Sequence, residues 1–100
     1  MVDISYQNDV VTALLYGEID HHIAPKIRNA IDIKCETHRP KMLTLDFSGV
    51  TFMDSSGVGL VMGRYRCISL LGGRLEVIHI PENIRKVFSL SGLESLGVLK

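Results

Sequence analysis

The chain has 100 residues, 46% of them apolar, and its eleven basic and eleven acidic side chains cancel. That is enough for one globular domain, residues 1–100, with a real core and little room for an elaborate cleft. Balanced charge supplies no general field for nucleic acid or anionic lipid, so any partner has to be recognised by a local surface.

Ile4 to Gln7 and Val10 to Ile19 are alternating, strand-like runs separated by Asn8-Asp9, which predicts an opening β-hairpin. Gly17 and Asp20 break the second run. From His21 to Thr37 the apolar Ile23, Ile27, Ala30, Ile31 and Cys35 recur at three- and four-residue steps, so the spacing predicts an amphipathic helix with Asp20 as its cap and Pro25 in its first turn. Arg39-Pro40 ends it. Met42 to Phe47 then forms a short, mostly apolar strand, with Ser48-Gly49 expected as a loop.

The stretch TFMDSSGVGLVMG, Thr51 to Gly63, opens a second helix whose Val58, Val61, Met62, Tyr65 and Ile68 keep helical spacing until Gly72-Gly73. Arg74 to Ile80 is a further strand, Pro81 starts a third helix through Leu90, and Ser95 to Leu99 is expected as a last strand. The order β-β-α-β-α-β-α-β implies an α/β sandwich with a mixed sheet and helical crossovers between parallel strands.

Cys35 and Cys67 lack C-x-x-C or zinc-like spacing, the opening MVDISYQND has no leader-like character, and no apolar run approaches the ~20 residues that cross a bilayer. A reduced cytoplasmic protein without membrane contact or direct nucleic-acid binding is the expectation.

In an open α/β sheet, function gathers where strands hand the chain to helices. Two such junctions stand out, Gly17 to His22 and Phe52 to Gly57. At the second, Ser55 has the chemistry of an N-cap, with Ser56 solvated in the first turn or holding the loop. Capping leaves the glycines unexplained, because Gly57, Gly59 and Gly63 each cost a helix about 1 kcal/mol relative to alanine. Tight packing accounts for Gly59 and Gly63, which lie four apart on one face, and an unobstructed contact surface accounts for Gly57.

The same glycines also raise a nucleotide site, with Glu76 on the next strand facing a ribose. Against it, the spacing is not G-x-G-x-x-G, the first glycine falls inside the helix, and no second nucleotide half exists. Serine hydrolysis would need a base, yet His21, His22, His38 and His79 show no motif spacing to Ser55 or Ser56, and G-x-S-x-G is absent. Adjacent His21 and His22 would diverge by about 100° on a helix, so no metal site is expected. No cofactor is implied. The remaining role for the serine is acceptor: a phosphate at a helix N-terminus meets free amides and the positive end of the dipole.

FMDSSGVGLVMGRYR, GEIDHHIA at residues 17–24 and VFSLSGL at 87–93 together resemble the bacterial anti-sigma factor antagonists of the STAS domain class, over nearly the whole chain. The resemblance implies a small cytoplasmic binding module of the sporulation type and not an enzyme. It implies that Ser55 is phosphorylated by the anti-sigma factor itself, a serine kinase carrying nucleotide, and that a serine phosphatase reverses the mark. The unmodified form would bind the kinase and free the sigma factor for RNA polymerase. The docking face it implies takes in Glu18, Asp20, His21, Asp54, Ser55, Ser56 and Gly57, with Glu18 or Asp20 pairing with a basic residue of the kinase. Relatives commonly continue into another helix after the last strand, and this sequence stops at Leu99-Lys100.

Overall fold

A computed structural model describes all 100 residues. Strands β1 (Val2–Gln7) and β2 (Val10–Ile19) form the expected hairpin. Asn8 and Asp9 both take positive φ, 53° and 66°, as the two central residues of a type I′ turn require. Helix α1 (Ala24–His38) leads to β3 (Met42–Met53), α2 (Ser55–Leu70) to β4 (Arg74–Ile78), and α3 (Glu82–Ser91) to a short 3-10 turn over Leu93–Leu96.

The sheet order is β1-β2-β3-β4, with β1/β2 antiparallel and the other two pairs parallel, so α1 and α2 are the crossovers. Ala13, Leu45 and Val77 lie in one row across the sheet and are all fully buried. Residues two apart from them, Val11, Leu15, Leu43, Phe47 and Leu75, share that face and are buried as well. The helices cover it. Ile27 and Ile31 of α1, Leu60, Val61 and Ile68 of α2, and Ile84 and Phe88 of α3 complete the core, and Phe47 meets Phe88 edge to face at 5.4 Å. The opposite face carries Thr12, Leu14, Thr44, Asp46 and Glu76, and there Thr44 donates to Glu76 at 2.8 Å.

The structure corrects the sequence reading at four places. The segment Ser48-Gly49 is not a loop; β3 runs through it to Met53. Gly49 sits where β3 bulges against β2, and a Cβ there would stand 2.7 Å from the Tyr16 Cβ and 3.0 Å from the Leu15 carbonyl, so only glycine lets the strands stay paired. Helix α1 begins at Ala24 and not at His21, and Asp20 is not its cap. Strand β4 stops at Ile78. The last expected strand survives as a single parallel bridge between Leu99 and Val77 after the 3-10 turn, which closes the β-β-α-β-α-β-α-β order with its smallest possible member.

Candidate functional site

The two junctions stand side by side because β2 and β3 end together. Ile19 pairs with Met53, the Asp54 N–H donates to the Ile19 carbonyl at 3.2 Å, and Asp20 and Asp54 are the next residues on their strands. Glu18, in register with Phe52, is exposed, and Phe52 is half exposed beside it.

At the first junction, Asp20 Oδ1 accepts the N–H of His22 at 2.9 Å and of Ile23 at 3.0 Å. Its carbonyl accepts from Ile23 and Ala24. The aspartate therefore closes a turn ahead of the helix, the arrangement its short acceptor side chain favours. The amides of Ile23 and His22 hold its carboxyl below the usual range. His21 and His22 lie in this turn, exposed, their rings 4.1 Å apart.

At the second junction there is no intervening turn. Asp54 is extended, at φ −95° and ψ −171°, and its Oδ1 accepts the Ser56 N–H at 2.8 Å. Asp54 is thus the N-cap, and the expectation that Ser55 caps the helix is wrong. Ser55 is the first residue of α2 and is exposed; Ser56 is half-buried in the turn behind it.

The glycines exchange the roles expected of them. Gly57 is buried, and a Cβ on it would run into the Met53 side chain, so it is the packing glycine and not an open contact surface. A Cβ on Gly59 or Gly63 would meet nothing within 4 Å, so these two are not packed at all. They line a groove of about 370 Å³ between α1 and α2, together with His21, Ala24, Pro25, Arg28, Ser56, Leu60 and Arg64. Glu76, in mid-strand with Thr44 as its donor, is engaged on the uncovered face of the sheet.

Arg64 is the residue that pattern reading passed over. Its side chain is only 5% exposed, and its Nε lies 2.8 Å from Asp32 Oδ1 on α1. The N–H is not directed along that contact, so it is an ion pair without a well-formed hydrogen bond, and Nη1 has no partner. Burial raises the Asp32 carboxyl above its usual value even though the Arg64 charge opposes this. Beside the pair, burial and the nearby Asp32 charge push the Cys35 thiol up to about 11, which leaves it unreactive. The signal was present: Leu60, Val61, Arg64 and Ile68 form the buried stripe of α2, and a charge on such a stripe requires a partner. No three His, Cys, Asp or Glu side chains come together as a metal ligand set, and no helix is long and apolar enough to cross a membrane.

A family model for the STAS domain matches residues 2–99. The chain belongs to the STAS domain family. Within it, the anti-sigma F factor antagonist of Lysinibacillus sphaericus is 39% identical over 85 residues, covering 85% of this chain and 73% of that one. The anti-sigma F factor antagonist of Paenibacillus polymyxa is 29% identical over 92 residues, 92% of this chain and 79% of the relative. Among solved structures, the unphosphorylated form of the anti-sigma factor antagonist SpoIIAA superposes with a TM-score of 0.87 at 33% identity, over 100% of this chain and 86% of that one. The phosphorylated form of the Bacillus cell fate determinant SpoIIAA gives 0.79, also at 33% identity, over 100% of this chain and 89% of that one. The STAS antagonists to which this chain is related are regulatory binding proteins and not enzymes.

Proposed function

We propose that residues 1–100 form one STAS domain that acts in the cytoplasm as a phosphorylation-controlled antagonist of an anti-sigma factor. The unmodified protein binds an anti-sigma serine kinase in its nucleotide-bound form and releases the sporulation sigma factor. Phosphorylation of Ser55 ends that binding, and a serine phosphatase restores it. The observation that carries this reading is the exposed Ser55 at the first position of α2, with the cap supplied by Asp54. The hydroxyl is open to a kinase without loss of helix capping. The existence of a solved phosphorylated relative supports the same reading.

The mechanism follows from charge. A phosphate at the start of α2 faces helix amides and the positive end of the dipole, so the helix tolerates it and the fold stays intact. The patch nevertheless gains about −1.5 to −2 charges next to Asp54. A partner surface that buries this position without a matching cation loses several kcal/mol, which corresponds to a hundredfold or greater loss of affinity. Glu18, Asp20 and His21 flank the same face, and the acids offer a basic group on the kinase its pairing partners. Ser56 and Gly57 shape the turn from beneath.

Calorimetric titration of the kinase with three proteins tests the reading. The parent and Ser55→Ala should bind alike, and Ser55→Asp should bind at least about a hundredfold more weakly. Equal binding by all three would remove Ser55 from the docking face.

A further inference from the structure

The groove between α1 and α2 has features that the fold does not use. Gly59 and Gly63 weaken the helix that carries them, yet neither makes room for any neighbour within the chain. The charged side chains that line the groove, Arg28 and Arg64, are both basic, no aspartate or glutamate lines it, and Asp32 pairs with Arg64 from outside the lining. Arg28 is exposed on α1, with only an outlying 3.4 Å contact from its Nε to the neighbouring Asn29 Oδ1. Arg64 is almost wholly buried with Nη1 unpaired, because its one acid, Asp32, is met through Nε. Asp32 already compensates the Arg64 charge, so the cation that the groove presents to a partner is the exposed Arg28. Ser56 also lines the groove, so its mouth adjoins the Ser55 face.

We propose that this groove seats an acidic segment of the anti-sigma factor. A carboxylate on that segment is held by Arg28, with His21 at the rim, while its backbone comes close over Gly59 and Gly63. The inference rests on the binding role proposed above and adds a second anchor to it. Ser55 decides whether docking occurs, and the groove decides which segment docks. Arginine suits the task because its planar fork meets a carboxylate through two N–H groups. A volume of about 370 Å³ takes two or three side chains together with a stretch of backbone, more than a lone ion needs.

The test uses the full chain and its cognate anti-sigma factor, with Gly59→Leu and Arg28→Glu as variants and Ser55→Asp as the reference. Gly59→Leu should melt at or above the parent temperature, since the added Cβ meets nothing within 4 Å at an exposed position and a helix-weakening residue is replaced. Its affinity should fall tenfold or more. Arg28→Glu, a change at an exposed position, should fold normally, lose tenfold or more in affinity and show a flatter salt dependence. Arg28→Lys should recover part of the loss. A charge reversal of one acidic residue in the partner should rescue Arg28→Glu and not Gly59→Leu. If both groove variants bind like the parent while Ser55→Asp does not, the groove is not part of the interface and the inference is overturned with the binding role intact. If the parent itself fails to bind, the proposed function fails and the inference falls with it.

Discussion

The two strand-to-helix junctions begin alike and resolve differently. Each strand of the central parallel pair ends on a buried residue, Ile19 or Met53, and each passes directly to an aspartate. Asp20 spends its carboxylate on two amides of a turn, and the helix starts only at Ala24. Asp54 spends its carboxylate on one amide of the helix itself, and the helix starts at Ser55. The difference decides what each junction presents. A turn displays His21 and His22 as exposed polar groups, whereas a directly capped helix displays a single serine against its dipole. The phosphate acceptor proposed above lies at the second, where the amides and dipole of the helix terminus favour an anion.

Three substitutions sharpen that contrast, in order of expected effect. Gly57→Ala forces a methyl group into the Met53 side chain in the core behind the second junction, and overpacking of this kind costs about 1–3 kcal/mol, partly offset by the better helix propensity of alanine. Gly59→Ala, two residues on, should be neutral or stabilising by up to about 1 kcal/mol. Chemical denaturation of both variants checks the pair, and equal effects would mean that the two glycines are not differently placed. Asp54→Ala removes the sole side-chain cap of α2 and should cost about 1 kcal/mol, with Asp54→Ser or Asp54→Asn restoring most of it.

Of the two aspartates, the smaller effect on stability belongs to Asp20→Ala, because that carboxylate organises an exposed turn and caps no helix. Its contribution has a defined pH dependence. The folded carboxyl is depressed below its ordinary 3.8, so the stability it adds is present above that value and is lost as the pH falls through the folded one. Thermal melts of the parent and of Asp20→Ala should therefore differ slightly near neutral pH and converge in acid below 3.8. Binding to the anti-sigma factor should weaken in the variant although its fold does not. A gap that widened in acid would contradict the assignment.

How far the sequence was legible follows from the kind of information each feature needs. Apolar patterning located α1, α2 and the strands of the sheet, because a two-layer sandwich leaves each element one buried side, as with Val11, Ala13 and Leu15 on β2, whereas the start signal Pro81 located α3. The strand-to-helix transitions at Gly17 to His22 and Phe52 to Gly57 located the junctions, and the resemblance agreed on the place. What escaped was steric. Ser48-Gly49 has the composition of a loop, and only the approach of Tyr16 explains why glycine sits in mid-strand. The roles of Gly57 and of Gly59 with Gly63 came out reversed for a similar reason: a sequence shows where side chains are missing and not which neighbour occupies the space. Serine and aspartate are both good caps, so choosing between Ser55 and Asp54 depended on which residue first takes helical geometry. Arg64 was overlooked because a stripe is recognised by its apolar members.

The central claim is that Ser55 is the switch and that it acts at the surface. The most direct measurement incubates the pure protein with its anti-sigma kinase and ATP, maps the phosphate by peptide mass analysis, and compares backbone NMR spectra of the two forms. The account predicts phosphate on Ser55, amide shifts confined to the first turn of α2 and the adjoining Asp20 turn, and loss of kinase binding. Phosphate on Ser56, or none, would contradict the site, and large shifts spread across β1 to β4 would contradict the mechanism.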